Sequence, residues 1–101
     1  MKFVLTPLAE EDIGGIWDHI ADDNLDAANR VLKSLESTMA RLAKKPALGH
    51  WREELADKRH RFFLVYSYLI IYRADTDPLQ IIRVLHAARD VQALLGFVSE
   101  D

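Results

Sequence analysis

Residues 68–90 read YLIIYRADTDPLQIIRVLHAARD, and this stretch limits the folds open to the chain more than any other. It holds two short runs, YLIIYR and QIIRVLH, rich in β-branched and aromatic residues that suit a pleated, half-buried surface. The polar turn between them centres on Asp77-Pro78, residue types that end strands and start turns. Strands joined by so short a connection return antiparallel. Each run also carries an arginine, Arg73 or Arg83, and the second leads straight into His86 and Arg89. A packed hairpin has no need of these cations. A small sheet that grips a charged partner does.

A chain of 101 residues, half of them hydrophobic, is enough for one domain with one core and argues against disorder. With no cysteine, disulfides and thiolate metal sites are excluded, and a reducing compartment is the simplest setting. The opening MKFVLTPLAEED meets acidic residues too soon for a signal peptide. No apolar run approaches the roughly 20 residues that span a bilayer. A cytoplasmic protein without membrane contact is expected. The net charge of −3 conceals an asymmetry. Residues 1–26 hold one lysine and seven acids, a balance of −6, whereas residues 44–89 hold nine bases and five acids, a balance of +4. Opposite potentials at the two ends favour an acidic protein segment as partner. The chain as a whole is not basic enough to lead one to expect direct DNA binding on its own.

Lys2 to Leu5 reads as a short strand. Thr6-Pro7 is a helix start, with Thr6 as N-cap and Pro7 at the first helical position. Ile13, Ile16, Trp17 and Ile20 follow helical spacing, interrupted by Gly14-Gly15 at up to about 1 kcal/mol per glycine. Either another backbone comes close there or the helix is locally weak. Asn24 caps a second helix whose buried stripe runs through Ala28, Val31, Leu32, Leu35, Met39 and Leu42 to a stop at Pro46. The two form an antiparallel hairpin. Residues 46–60 lack a clean period and are expected to loop, with or without one helical turn. Residues 61–66, 68–74 and 80–86 read as strands, and a helical turn around Val91, Leu94 and Leu95 closes the domain before Gly96. The expectation is an α+β fold: an N-terminal strand, then a helical hairpin packed on a small, mainly antiparallel sheet, over residues 1–96, with 97–101 a flexible tail. One sheet face is left partly open.

Arg83, His86 and Arg89 form the sharpest cluster of candidate chemistry. A nuclease would use the histidine as general acid or base and the arginines as a phosphate clamp. The plainer reading makes His86 a hydrogen-bonding residue and lets Arg89-Asp90 close the end of the sheet. Arg61, Arg73 and Arg83, one on each strand, form a basic row suited to carboxylate or phosphate. Trp17 belongs to the apolar stripe, while Trp51, between His50 and Arg52, is divided between packing and contact with a target. The acid run Glu10-Glu11-Asp12 reads as a solvated helix start. The four histidines lack ligand spacing and no phosphate-cradling glycine loop is present, so no metal and no cofactor is expected.

Several of these features together resemble the ParE toxins of the RelE/ParE superfamily. They are the opening strand, Pro7-Leu8-Ala9, the Ile13, Ile16-Trp17, Ile20-Ala21 pattern, Pro46-Ala47-Leu48-Gly49, the Tyr68–Arg73 strand and the ending His86 to Asp90. The resemblance implies the toxin of a type II toxin–antitoxin pair that inhibits DNA gyrase without being an enzyme. It also implies neutralisation, in a hetero-oligomer, by a ParD-like antitoxin of the ribbon-helix-helix type. Ile13, Trp17, Leu35, Met39, Arg73, Arg83 and Arg89 are the expected antitoxin contacts, and Trp51 and Arg61 the expected target contacts. The alternative is a RelE-like ribosome-dependent mRNA endonuclease using Arg61, Arg83, His86 and Arg89. Ala87 follows His86 where nuclease relatives can carry tyrosine, which favours ParE. Gly14-Gly15 and the glycine-free Val65-Tyr66-Ser67 turn depart from the family pattern.

Overall fold

Thr6 decides where the first strand ends and the first helix begins. In the computed structural model, which describes residues 2–51 and 59–98, its hydroxyl accepts from the Ala9 N–H and donates to the Ile82 carbonyl. The cap is therefore fastened to a strand far along the chain. Strand β1 (Phe3–Leu5) precedes it, and helix α1 (Pro7–Ala21) follows with Pro7 in its first turn. Asn24 caps α2 (Leu25–Lys44) through the Ala27 N–H. A 3-10 turn (Pro46–Leu48) leads to the far part of the chain. Strands β2 (His60–Val65), β3 (Tyr68–Arg73) and β4 (Leu79–His86) follow, and then helix α3 (Val91–Val98).

The sheet order is β1-β4-β3-β2. β2, β3 and β4 are antiparallel neighbours, and β1 joins β4 in parallel. One face packs on the hairpin: Tyr68, Ile70, Tyr72, Ile81 and Val84 meet Ile16, Leu35, Met39 and Leu42. Each of these side chains, fully buried, is worth about 1.5–3 kcal/mol. The opposite face is less open than expected. Ala93 and Leu94 of α3 pack on Phe62, Ile71 and Leu85, so α3 covers part of it. The closing element is thus a helix running through Gly96 to Val98 rather than a single turn. α1 continues unbroken through Gly14-Gly15, and a Cβ at either would meet nothing within 4 Å. No close backbone explains those glycines, so their helix-propensity cost stands. Among the described residues no helix is long and apolar enough to cross a membrane, and no cluster of side chains is arranged to hold a metal.

Candidate functional site

β1 stops at Leu5, so β4 has an uncovered edge from Ile82 to His86. Unpaired backbone groups there are costly or invite another strand. The chain closes this edge with side chains. Thr6 donates to the Ile82 carbonyl at 2.7 Å, Asp12 of α1 accepts from the Val84 N–H at 3.0 Å, and Asp90 accepts from the His86 N–H at 2.7 Å. A register shift between Ile71 and Tyr72 lets β4 bulge, with Arg83 opposite Ile71. Arg83 then reaches round the edge to Asp12, with Nε to Oδ2 at 3.0 Å and Nη2 to Oδ1 at 2.7 Å. This two-pronged geometry is the strong form of an arginine–carboxylate contact. Hydrogen bonding from Asp12 holds the Arg83 guanidinium more firmly protonated than usual, against a smaller opposing effect of burial. Asp12 is only 11% exposed. It is not the solvated helix-start residue expected, and Arg83 spends its fork inside the molecule rather than on a partner.

His86 is equally committed. Its Nδ1 accepts from the Ala88 and Arg89 N–H groups at 3.1 and 3.0 Å, and its ring meets Tyr68 edge-on. An Nδ1 that accepts has no proton, so in the neutral ring the proton lies on Nε2. Such a ring can donate from Nε2 but cannot take a proton there. Protonating Nδ1 would break the turn. The Asp90 N–H returns to the His86 carbonyl at 2.9 Å and completes the closure. The plainer reading of His86 and Asp90 is therefore the one the geometry follows. Arg83 and His86 point to opposite faces, being opposite Ile71 and Tyr68 respectively. Arg89 is exposed, and among the described residues its guanidinium has no partner.

The basic row does not form. Arg61 lies opposite Tyr72 on the helix-covered face, whereas Arg73 lies opposite His60 on the other. Arg61 donates through Nη1 to the Gly49 carbonyl at 2.8 Å. Tyr72 is the centre of that knot: its hydroxyl donates to Pro46 O at 2.6 Å and accepts from the Gly49 N–H at 2.8 Å. Burial pushes the Tyr72 hydroxyl above the usual tyrosine range, opposed by the Gly49 N–H and the charge of Arg61. A Cβ on Gly49 would collide with the Tyr72 hydroxyl, so glycine is needed there for space. Arg73 grips Asp75 two residues away, Nε to Oδ1 at 2.8 Å and Nη2 to Oδ2 at 3.0 Å.

Of the apolar candidates, Leu35 and Met39 have no exposed surface. They serve the core and offer nothing to a partner laid on the hairpin. Ile13 packs at the core margin, and Trp17, half-buried, donates from Nε1 to Asn29 Oδ1 at 3.0 Å. Trp51 is 36% exposed. Arg52, its neighbour in the charge reading, lies outside the described residues. Sequence reasoning missed Asp12, whose partner is 71 residues away, and no local pattern signals that contact. It also missed the cations Arg30, Lys33, Arg41 and Lys44 on α2, whose spacing by three and four was visible in the sequence.

A strand, a helical hairpin and a mixed four-stranded sheet make this a small α+β protein. Comparison with known proteins is specific. The family described as "ParE toxin of type II toxin-antitoxin system, parDE" matches residues 3–91. The chain belongs to this family and is a ParE-family toxin of a type II toxin–antitoxin system. It is 28% identical over 92 residues to Toxin ParE1 from two strains of Mycobacterium tuberculosis, covering 89% of this chain and 93% of the relative. A solved chain of the "Chromosomal ParDE TA system from P. aeruginosa" has the same fold, with a TM-score of 0.68 at 18% identity over 85% of this chain and 95% of that one.

Proposed function

We propose that this toxin arrests growth by binding DNA gyrase, makes and breaks no covalent bond itself, and is silenced by a ParD-like antitoxin of the ribbon-helix-helix type. One observation carries the non-enzymatic part. The two groups a nuclease would need at the end of β4 are already occupied: Asp12 holds the Arg83 fork, and two backbone N–H groups hold His86 Nδ1. A proton-transfer catalyst needs a group free to take a proton in reach of substrate. The antitoxin would lay an amphipathic helix against the outer side of α1 near Ile13 and Trp17 and bring a carboxylate to Arg89. Trp51 is the proposed gyrase anchor, since partly exposed tryptophan is enriched at interface hot spots.

The test pairs two assays on the purified chain: DNA supercoiling by gyrase, and message integrity on translating ribosomes. Loss of supercoiling with intact messages is expected, reversed by equimolar antitoxin. Cleaved messages with normal supercoiling would overturn the proposal. His86→Gln should weaken the β4 turn yet leave inhibition per folded molecule unchanged.

A further inference from the structure

Besides Arg89, a row of cations without ion-pair partners among the described residues lies on α2. Arg30, Lys33, Ser37, Arg41 and Lys44 recur at intervals of three and four and share one face roughly 80° wide. From Arg30 to Lys44 that face runs about 21 Å. Among the described residues none of these cations is ion-paired. Two clefts follow one another along it. The first, about 390 Å³, is lined by Arg30, Lys33, Ser34, Ser37, Thr38 and Tyr66. The second, about 230 Å³, is lined by Arg41, Lys44, Lys45 and Leu48. Among the described residues no carboxylate lines either, and Glu36, the one acid of α2 beyond its first turn, stands outside both. Arg41 is steadied over the Phe63 ring at 5.7 Å.

Tyr66 is the second observation. It sits in the β2–β3 turn with φ 55°, the left-handed region that a bulky side chain adopts only under strain. Despite that strain the residue is 61% exposed and lines the first cleft, its hydroxyl 3.4 Å from Ser34 Oγ. Glycine or asparagine would suit the turn better. Packing does not explain the choice, because most of the ring is in water.

We propose that this face of α2, with Tyr66 above it, binds a short stretch of single-stranded nucleic acid. Cations spread along a groove track a phosphate backbone, hydroxyls donate to phosphate oxygens, and an exposed aromatic ring stacks a base whatever its identity. An acidic peptide would use the cations but leave the tyrosine ring without a role. A duplex needs a broader basic face than a net charge of −3 supplies. The proposal revises the expectation, drawn from the overall charge, that the chain alone avoids nucleic acid. It is independent of the gyrase reading.

The experiment is fluorescence anisotropy of the full chain with labelled ten-nucleotide oligo(U) and oligo(dT), at about 50 and 200 mM salt. Saturable binding is expected, weakened on the order of tenfold across that salt range. Arg30→Ala with Lys33→Ala should lower the salt slope by about one to two. Tyr66→Leu should weaken binding about fivefold or more while Tyr66→Phe retains it, since stacking needs the ring and not the hydroxyl. Tyr66→Gly separates site from scaffold: it should lose binding and raise the melting temperature. These positions are on the surface, so circular dichroism will show each variant folded. No saturable binding at the lower salt overturns the proposal. So does indifference to the Arg30 and Lys33 changes, equal loss in Tyr66→Phe and Tyr66→Leu, or a polyglutamate decamer that competes as well as the oligonucleotide.

Discussion

Arg83 on β4 and Arg41 on α2 are both large cations near the surface, yet they keep different company. Arg83 meets a carboxylate from another element, and that same carboxylate ties down a strand-edge N–H. Arg41 rests over the Phe63 ring, and among the described residues no carboxylate pairs with it. The difference repeats across the two regions. On the sheet, Arg61, Arg73 and Arg83 are each engaged by a backbone carbonyl or a carboxylate. On α2, among the described residues, Arg30, Lys33 and Lys44 are not. A basic residue in a β-strand was the feature that suggested docking, but the sheet's cations hold the fold together, and described cations without an ion pair lie on α2 and at Arg89. The sharpest way to break this contrast is Asp12→Ala. It strands the Arg83 guanidinium and the Val84 N–H together, and should cost about 2–4 kcal/mol. In a domain of this size that lowers the melting temperature by roughly 10 °C or more. A variant that melts like the parent would mean the pair is ornamental.

Gly49→Ala ranks next. It pushes a methyl group into the Tyr72 hydroxyl and should cost about 1–3 kcal/mol, whereas Gly14→Ala, in open space on α1, should gain up to about 1 kcal/mol. Thermal melts of the two decide whether glycine is used for space at one site and wasted at the other. Tyr72 itself gives a pH handle on the same knot. Its folded-state pKa is raised above the unfolded value, so its contribution is whole below about pH 10 and is lost as pH rises beyond it. Urea unfolding should therefore show stability falling as pH rises above about 10, and Tyr72→Phe should flatten that decline while lowering stability at neutral pH.

The parts of the fold legible in the sequence are those set by neighbours in the chain. Thr6-Pro7, Asn24, the stripe through Leu35 and Met39, and the three C-terminal strands announce themselves by capping chemistry and periodicity. The same stripe should have warned against Leu35 and Met39 as partner contacts, since a residue that fills the core cannot also meet a partner. What the sequence did not reveal depends on long closures. A β-bulge turned Arg83 over the strand edge towards Asp12, 71 residues away. The family pattern led correctly to a ParE toxin because it reads the order of local signals, whereas the roles of single arginines follow from tertiary geometry.

The smallest effect is expected at Arg73 and Asp75, and it sharpens the comparison most. This pair copies the fork geometry of Arg83 and Asp12, with a shortest contact of 2.8 Å against 2.7 Å, and the arginines are equally exposed at 26% and 25%. The carboxylates differ, 44% exposed for Asp75 and 11% for Asp12. Among the described residues Asp75 also ties down no strand edge, and water replaces what it provides. Hydrogen bonding from Arg73 holds the Asp75 carboxyl below the usual range, so its contribution is present above about pH 4 and is lost as pH falls further. Asp75→Asn should leave the melting temperature at pH 7 within about 1 °C of the parent and slightly flatten the acid limb of the stability curve. If instead it matched Asp12→Ala, fork geometry alone would set the strength of these pairs, and burial of the carboxylate would not be what separates a structural arginine from an ornamental one.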